Sequence, residues 1–233
     1  MIQIIRADQR HFSDFGWLKT YWLFSFDTYH DPSNIHWGAL RVFNDDVVGP
    51  KRGFPAHPHR EMEIITVILS GEITHEDSAG NRAVVKADEV QRMSAGTGIT
   101  HSEFNLADEP CHLYQIWIFP DERRLKPSYD QKSFAGVSRK NRLLPIASGQ
   151  GHEGAVSFHT DAAIYLSDLD AGHSVDFKTD DSRRVFVYVT NGDIRINDER
   201  LATNDQARIA LDGTIKIKAY EDASLILIDA PAR

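Results

Sequence analysis

The sequence contains one cysteine, Cys111, in 233 residues. No intrachain disulfide is therefore possible. Positive charge is also scarce. Lys and Arg total 26 against 34 Asp and Glu, a net charge of −8. Nonspecific DNA binding needs basic surface to neutralise phosphates, so this balance argues against direct nucleic-acid contact. No apolar run approaches the length of a membrane span. The opening residues, Met1-Ile2-Gln3-Ile4-Ile5-Arg6-Ala7-Asp8, lack the apolar stretch of a secretory signal. The expectation is a soluble, cytoplasmic protein. Helical periodicity is nearly missing as well, which points away from α and α/β folds.

What is present is enough for a packed core. Hydrophobic residues make up 41% of the chain, and its length suits one large or two small domains. Ile64-Ile65-Thr66-Val67-Ile68-Leu69 is a β-branched run closed by Ser70-Gly71. Ile73 to Glu76 reads as a partner strand ending in the turn Asp77-Ser78-Ala79-Gly80-Asn81. Ala83 to Lys86, Val90 to Met93 and His112 to Phe119 continue the pattern. Many short strands with polar turns predict an all-β barrel or jelly roll. The aromatic cluster Phe15, Trp17, Tyr21, Trp22, Phe24 and Phe26 is read as core or sheet packing. His30 and His36 sit beside the turn Asp31-Pro32-Ser33-Asn34 and are read as loop residues.

Residues 53 to 105 carry the chemistry. At one end stands Gly53-Phe54-Pro55-Ala56-His57-Pro58-His59, at the other Gly98-Ile99-Thr100-His101-Ser102-Glu103. On a strand, residues i and i+2 share a face, about 7 Å apart. His57 with His59, and His101 with Glu103, can therefore converge if the strands lie side by side. One H-x-H pair is weak evidence, because loops and chance produce it. Two such pairs with strand-like sequence between them predict a site for a first-row divalent metal with two open positions. Glu63 shares the parity of His57 and His59 and stands as an alternative carboxylate. His75 is read as exposed beside its hairpin.

These motifs resemble those of the cupin superfamily and, within it, the pirin family. Gly53, His57, His59, Glu63 and Gly71 follow the first cupin motif, with a shortened spacer from Gly53 to His57. His101 and Asn105 end the second. H-P-H and H-S-E, the pirin forms, occur letter for letter at 57–59 and 101–103. Gly16-Trp17-Leu18, Phe24-Ser25-Phe26 and Asn44-Asp45-Asp46 look like the family's N-terminal region. The resemblance is strong over about residues 13 to 120. It implies Glu103 as the carboxylate ligand beside His57, His59 and His101. Glu63 is then a supporting residue or a surface charge.

The second half holds a faint copy of the first. Val67-Ile68-Leu69-Ser70-Gly71-Glu72-Ile73 parallels Tyr188-Val189-Thr190-Asn191-Gly192-Asp193-Ile194, and Gly96-Thr97 parallels Gly213-Thr214. Together with the resemblance, this predicts a bicupin with two jelly-roll-like barrels. The expected division is 1–130 with the metal site and 131–233 as a degenerate cupin. The same offsets map the four ligand positions onto Lys178, Asp180, Lys218 and Tyr220. Ammonium groups repel a cation, so one site, in the first half, is expected. His152, His159 and His173 are then structural or solvent-facing.

The resemblance implies a quercetin 2,3-dioxygenase, opening flavonols with dioxygen through a divalent metal. Fe(2+) is the first expectation, and Ni, Mn, Co, Cu and Zn suit the same shell. Glu103 would be both ligand and catalytic base. The alternative is a regulatory metal-binding protein that acts through a protein partner, and a third reading is another cupin-type reaction.

Overall fold

The computed structural model describes residues 1–232. Among these the chain is nearly all β, with one short 3-10 turn at Ala7–Gln9. The first half runs β1 (Ile2–Ile5), β2 (His11–Asp14), β3 (Leu18–Trp22), β4 (Leu40–Val48), β5 (Arg52–His59) and β6 (Glu63–Ser70). It continues with β7 (Glu72–Asp77), β8 (Arg82–Lys86), β9 (Glu89–Ser94), β10 (Ile99–Asn105), β11 (Cys111–Ile118) and β12 (Ser128–Ser133). The second half runs β13 (Leu144–Ser148), β14 (Val156–Ser157), β15 (Ala163–Leu169), β16 (Ser174–Thr179) and β17 (Arg183–Asn191). β18 (Asp193–Ile196), β19 (Glu199–Ala202), β20 (Gln206–Ile209), β21 (Gly213–Ala219) and β22 (Ala223–Pro231) complete it.

Each half pairs one large sheet with one small sheet. The first half has the order β12-β9-β6-β11-β4-β3-β2 and, in the small sheet, β5-β10-β7-β8. The second has β1-β20-β17-β22-β15-β13-β14 and β16-β21-β18-β19. The two architectures match, so the chain is a bicupin whose halves are jelly-roll-like sandwiches rather than closed barrels. One strand ties the halves together: β1 pairs with β20 in the second half's large sheet, whereas β12, which contains residues 130 and 131, pairs with β9 in the first half's.

The large sheets alternate in a way the period of a strand dictates. On β4, Phe43 faces the junction of the halves, whereas Asn44 and Asp46 face the cavity inside the first. The junction is apolar: Phe43, Tyr114, Phe186 and Tyr188 pack ring against ring, with Phe43 5.0–5.2 Å from the other three. The second half fills its inter-sheet space with one continuous apolar cluster that includes Val185, Val187, Ile194, Ile215, Ile217 and Leu227. The first half does not. Its inter-sheet apolar residues form two small clusters, around Leu18, Ile73 and Leu113 and around Ile64, Met93 and Ile99.

The repeat offsets need correction. Lys178, Asp180, Lys218 and Tyr220 are exposed. On β21 the buried residues are Ile215, Ile217 and Ala219, one position out of phase with Lys218 and Tyr220. A shift of one residue exchanges the two faces of a strand. Apolar side chains, not lysines, therefore fill the inward places.

Candidate metal centre

β5 and β10 lie antiparallel, with His101 opposite His57 and Ile99 opposite His59. Glycine permits this approach: a Cβ on Gly53 would run into the backbone of Glu103 and Phe104. The register shifts between His101 and Glu103, so that Glu103 stands opposite Phe54. The three imidazoles converge, with ring centroids 4.4 Å (His57–His101), 4.7 Å (His57–His59) and 4.8 Å (His59–His101) apart. Their donor nitrogens all fall within 4.8 Å of one another. Glu103 belongs to a second such group, with His75 and His101. His101 is thus shared, and Glu103 lies beside the three-histidine group. Among the described residues, both groups sit in the first half.

The protonation states suit a cation. His57 Nδ1 is 2.8 Å from the Pro55 carbonyl, which can only accept, so neutral His57 carries its proton there and keeps its Nε2 lone pair. That Nε2 faces His101 Nε2 at 3.0 Å. Two nitrogens bound cis to one ion at about 2.1 Å would be about 3.0 Å apart. Burial pushes His59 and His101 down to about 4, reinforced for His59 by the neighbouring imidazoles. Both are neutral at pH 7 and free to donate. Burial alone would raise Glu103, but His101, His75 and a hydrogen bond from Gln91 together bring it below the usual carboxylate value. The cluster is therefore able to bind a metal ion, and the donors fit a borderline divalent one.

A closed ring of hydrogen bonds holds Glu103. Gln91 Nε2 donates to Glu103 Oε1 (2.7 Å) and to Thr66 Oγ1 (3.2 Å). The Thr66 hydroxyl donates to Gln115 Oε1 (3.3 Å), which turns the Gln115 amide nitrogen toward Glu103 Oε2 (3.1 Å). All four side chains are buried. Both carboxylate oxygens therefore accept an N–H, an arrangement that favours the anion.

The centre opens on a cavity of about 480 Å³. Phe15, Trp17, Trp22, Phe26, Phe54 and Trp117 wall it, and Asn44, Asp46 and Gln115 add polar groups. Burial, with Asp45 and Glu103 nearby, pushes the Asp46 carboxyl up to about 7. The aromatics of residues 15–26 therefore divide. Phe24 packs in the core between the halves, while four of the others line the cavity rather than only packing the sheet. His30 and His36 lie in loops outside it.

His75 and Glu63 lie elsewhere than their sequence neighbours suggest. His75 is fully buried, not exposed. It shares the parity of buried Ile73 on β7, and that parity carries it inward. Glu63 is neither on the surface nor at the centre. Glu61 adopts φ 52, which breaks the strand after His59 and resets the parity. Glu63 then faces the junction, where it accepts from Ser94 Oγ (2.7 Å) and lies 3.4 Å from His159 Nδ1. Gln91, Gln115 and Thr66 had no signal in the sequence, because their roles arise only when distant strands pair.

Comparison with known proteins agrees with this architecture. Residues 5–118 match the Pirin family model and residues 145–230 the model of the quercetinase C-terminal cupin domain. A quercetin 2,3-dioxygenase from Escherichia coli (strain K12) is 40% identical over 236 residues, 99% of each chain. A pirin-like protein from Caulobacter vibrioides is 42% identical and covers 94% of each chain. The crystal structure of the bacterial pirin YhhW from Escherichia coli in complex with nickel(II) is 38% identical and covers all of both chains, with a TM-score of 0.93. This chain belongs to the pirin family.

Proposed function

We propose that this protein is a metal-dependent quercetin 2,3-dioxygenase that opens flavonols with dioxygen. The observation that carries the reading is the three-histidine cluster, with Glu103 beside it, on the wall of an aromatic cavity of about 480 Å³. That volume is in the range of small-molecule sites. The names of the relatives support it, and the nickel complex of YhhW supports the metal. His57, His59, His101 and Glu103 would hold the ion, with Fe(2+) the first choice and Ni, Mn, Co, Cu and Zn also suited. A bound divalent ion supplies a Lewis-acidic centre that lowers the pKa of a flavonol's hydroxyl.

The chain's own groups do the rest. Glu103, held as an anion by Gln91 and Gln115, takes the 3-hydroxyl proton as general base. Trp117 and Phe26, in edge contact at 5.3 Å, and Phe54 offer apolar walls to a planar polyphenol and exclude water. The products are a ring-opened ester and carbon monoxide.

The test is aerobic loss of quercetin absorbance by protein of known metal content, beside metal-free protein and His101→Ala. Turnover that needs both the metal and His101 is the expected result. No turnover from folded protein fully loaded with iron, nickel or manganese would overturn the dioxygenase reading.

A further inference from the structure

Behind the candidate centre two side chains that the reaction described above does not use, His75 and Asp77, continue a chain that begins at His101. His101 Nδ1 faces His75 Nδ1 at 3.4 Å, and His75 Nε2 faces Asp77 Oδ2 at 3.0 Å. The side chains of His75 and Asp77 are fully buried. Tyr129 packs against His75 with the rings tilted by 32° and their centroids 4.7 Å apart.

The direction of the protons in this chain follows from its far end. Asp77 is surrounded by donors: the Ala79 N–H at 2.9 Å, the Asn81 N–H at 3.0 Å and Asn81 Nδ2 at 2.9 and 3.1 Å from its two oxygens. A carboxylate so placed accepts from its last neighbour too. His75 then carries its proton on Nε2, and its Nδ1 is an acceptor. An acceptor at that point calls for a donor on His101 Nδ1. With its proton on Nδ1, His101 turns a lone pair on Nε2 toward His57 Nε2, whose own lone pair is fixed by the Pro55 carbonyl.

We propose that Asp77 and His75 are positioning residues that lock the tautomer of His101, so that the centre is poised for a cation before one arrives. The proposal rests on reading His57, His59 and His101 as the metal-holding residues. It also separates the two donor groups around His101. His75 has both nitrogens committed, one to Asp77 and one to His101, and so serves as a support rather than as a ligand. Buried partners of this kind orient imidazole ligands in metal sites, and their loss typically weakens binding about 10- to 100-fold.

Asp77→Asn is the informative change, because it reverses the chain instead of merely cutting it. An asparagine that keeps its oxygen toward the turn N–H groups presents its Nδ2 to His75. His75 Nε2 must then accept, His75 Nδ1 must donate, and His101 is left with its proton on Nε2, pointing at the metal position.

The experiment reads ring-nitrogen shifts by long-range ¹H–¹⁵N correlation in the metal-free protein, and nickel(II) affinity by chelator competition. In the wild type, His75 is expected to be protonated on Nε2 and His101 on Nδ1. In Asp77→Asn both are expected to invert, with nickel(II) bound about 10- to 100-fold more weakly. Where Asp77→Asn does not fold, His75→Phe keeps the ring and its volume and carries the test, with His101 released from the Nδ1 tautomer and the same loss of affinity. A residue that only fills space would leave both readouts unmoved. Wild-type His101 protonated on Nε2, or folded variants that bind nickel(II) within twofold of the wild type, would overturn the proposal. Wild-type protein that takes up no nickel(II) would strike the metal reading instead, and the ring-nitrogen shifts would still decide the tautomer.

Discussion

Gln91 Nε2 donates to Glu103 Oε1 at 2.7 Å, the shortest link of the ring that holds this carboxylate. A hydrogen bond to a charged group contributes about 1.5–3 kcal/mol. Gln91→Leu removes it and leaves Glu103 with Gln115 alone. The anion loses a donor, so the Glu103 pKa rises and the acid limb of the pH–rate profile moves to higher pH. Metal affinity should fall about 10- to 100-fold. Chelator competition and a pH–rate profile of the variant check both. An unmoved acid limb would mean that Glu103 is not the group whose ionisation limits the rate.

The imidazoles carry their own pH signature in the metal-free protein. His59 and His101 titrate near 4 when folded, against 6.5 as the ordinary value, because burial penalises their charged forms. Between those values the unfolded chain binds more protons than the folded one, so stability rises with pH. It is fully present above about 6.5 and is lost as pH falls toward 4. Glu103, with its lowered pKa, adds a loss in the same direction at the acid end. The Tm of metal-free protein should fall through this window, more steeply than that of a His59→Asn, His101→Asn double variant. Parallel Tm curves for the two proteins would contradict the assignment.

What the sequence makes legible follows from locality. His57 with His59 and His101 with Glu103 sit two apart on strands, and a period of two is a property of the strand itself. What it hides is set by breaks and long-range pairing. The left-handed backbone at Glu61 reverses the face on which Glu63 emerges. The turn at Asp77–Asn81 suggests an exposed His75, whereas its parity with buried Ile73 carries it inward. The repeat between the halves is visible in its turns. Insertions and deletions between those turns can shift a strand by one residue, and then Lys218 stands in for Ile217. The Gln91–Thr66–Gln115 ring spans three strands, β9, β6 and β11, and no local pattern announces it.

The junction of the halves should govern global stability. Phe43 is fully buried and meets Tyr114, Phe186 and Tyr188, two of them from the other half. Phe43→Ala leaves a cavity there and should cost about 3–5 kcal/mol. Its partners come from both large sheets, so denaturant-dependent hydrogen exchange read strand by strand should show the loss in both halves together. Loss confined to one half would show that the halves unfold independently.

Gly53 offers a test of how closely β5 must approach β10. A methyl group there meets the carbonyl oxygen of Glu103 and the Cα of Phe104, both backbone atoms that cannot swing aside. Gly53→Ala must therefore push the two strands apart, at a cost of about 1–3 kcal/mol. The displacement falls between the two donor pairs, since His57 lies four residues along β5 from Gly53 and faces His101 across the same ladder. A centre whose Nε2 atoms are set 3.0 Å apart tolerates little of this, so nickel(II) affinity should drop along with stability. Ala56→Ser, on an exposed position of the same strand, should leave stability within about 0.5 kcal/mol and affinity unchanged. Thermal melts and chelator competition on the two variants separate the outcomes. Loss of stability without loss of affinity would mean that the His57–His101 spacing is held by the His57–Pro55 contact and the Asp77–His75 chain rather than by the β5–β10 ladder.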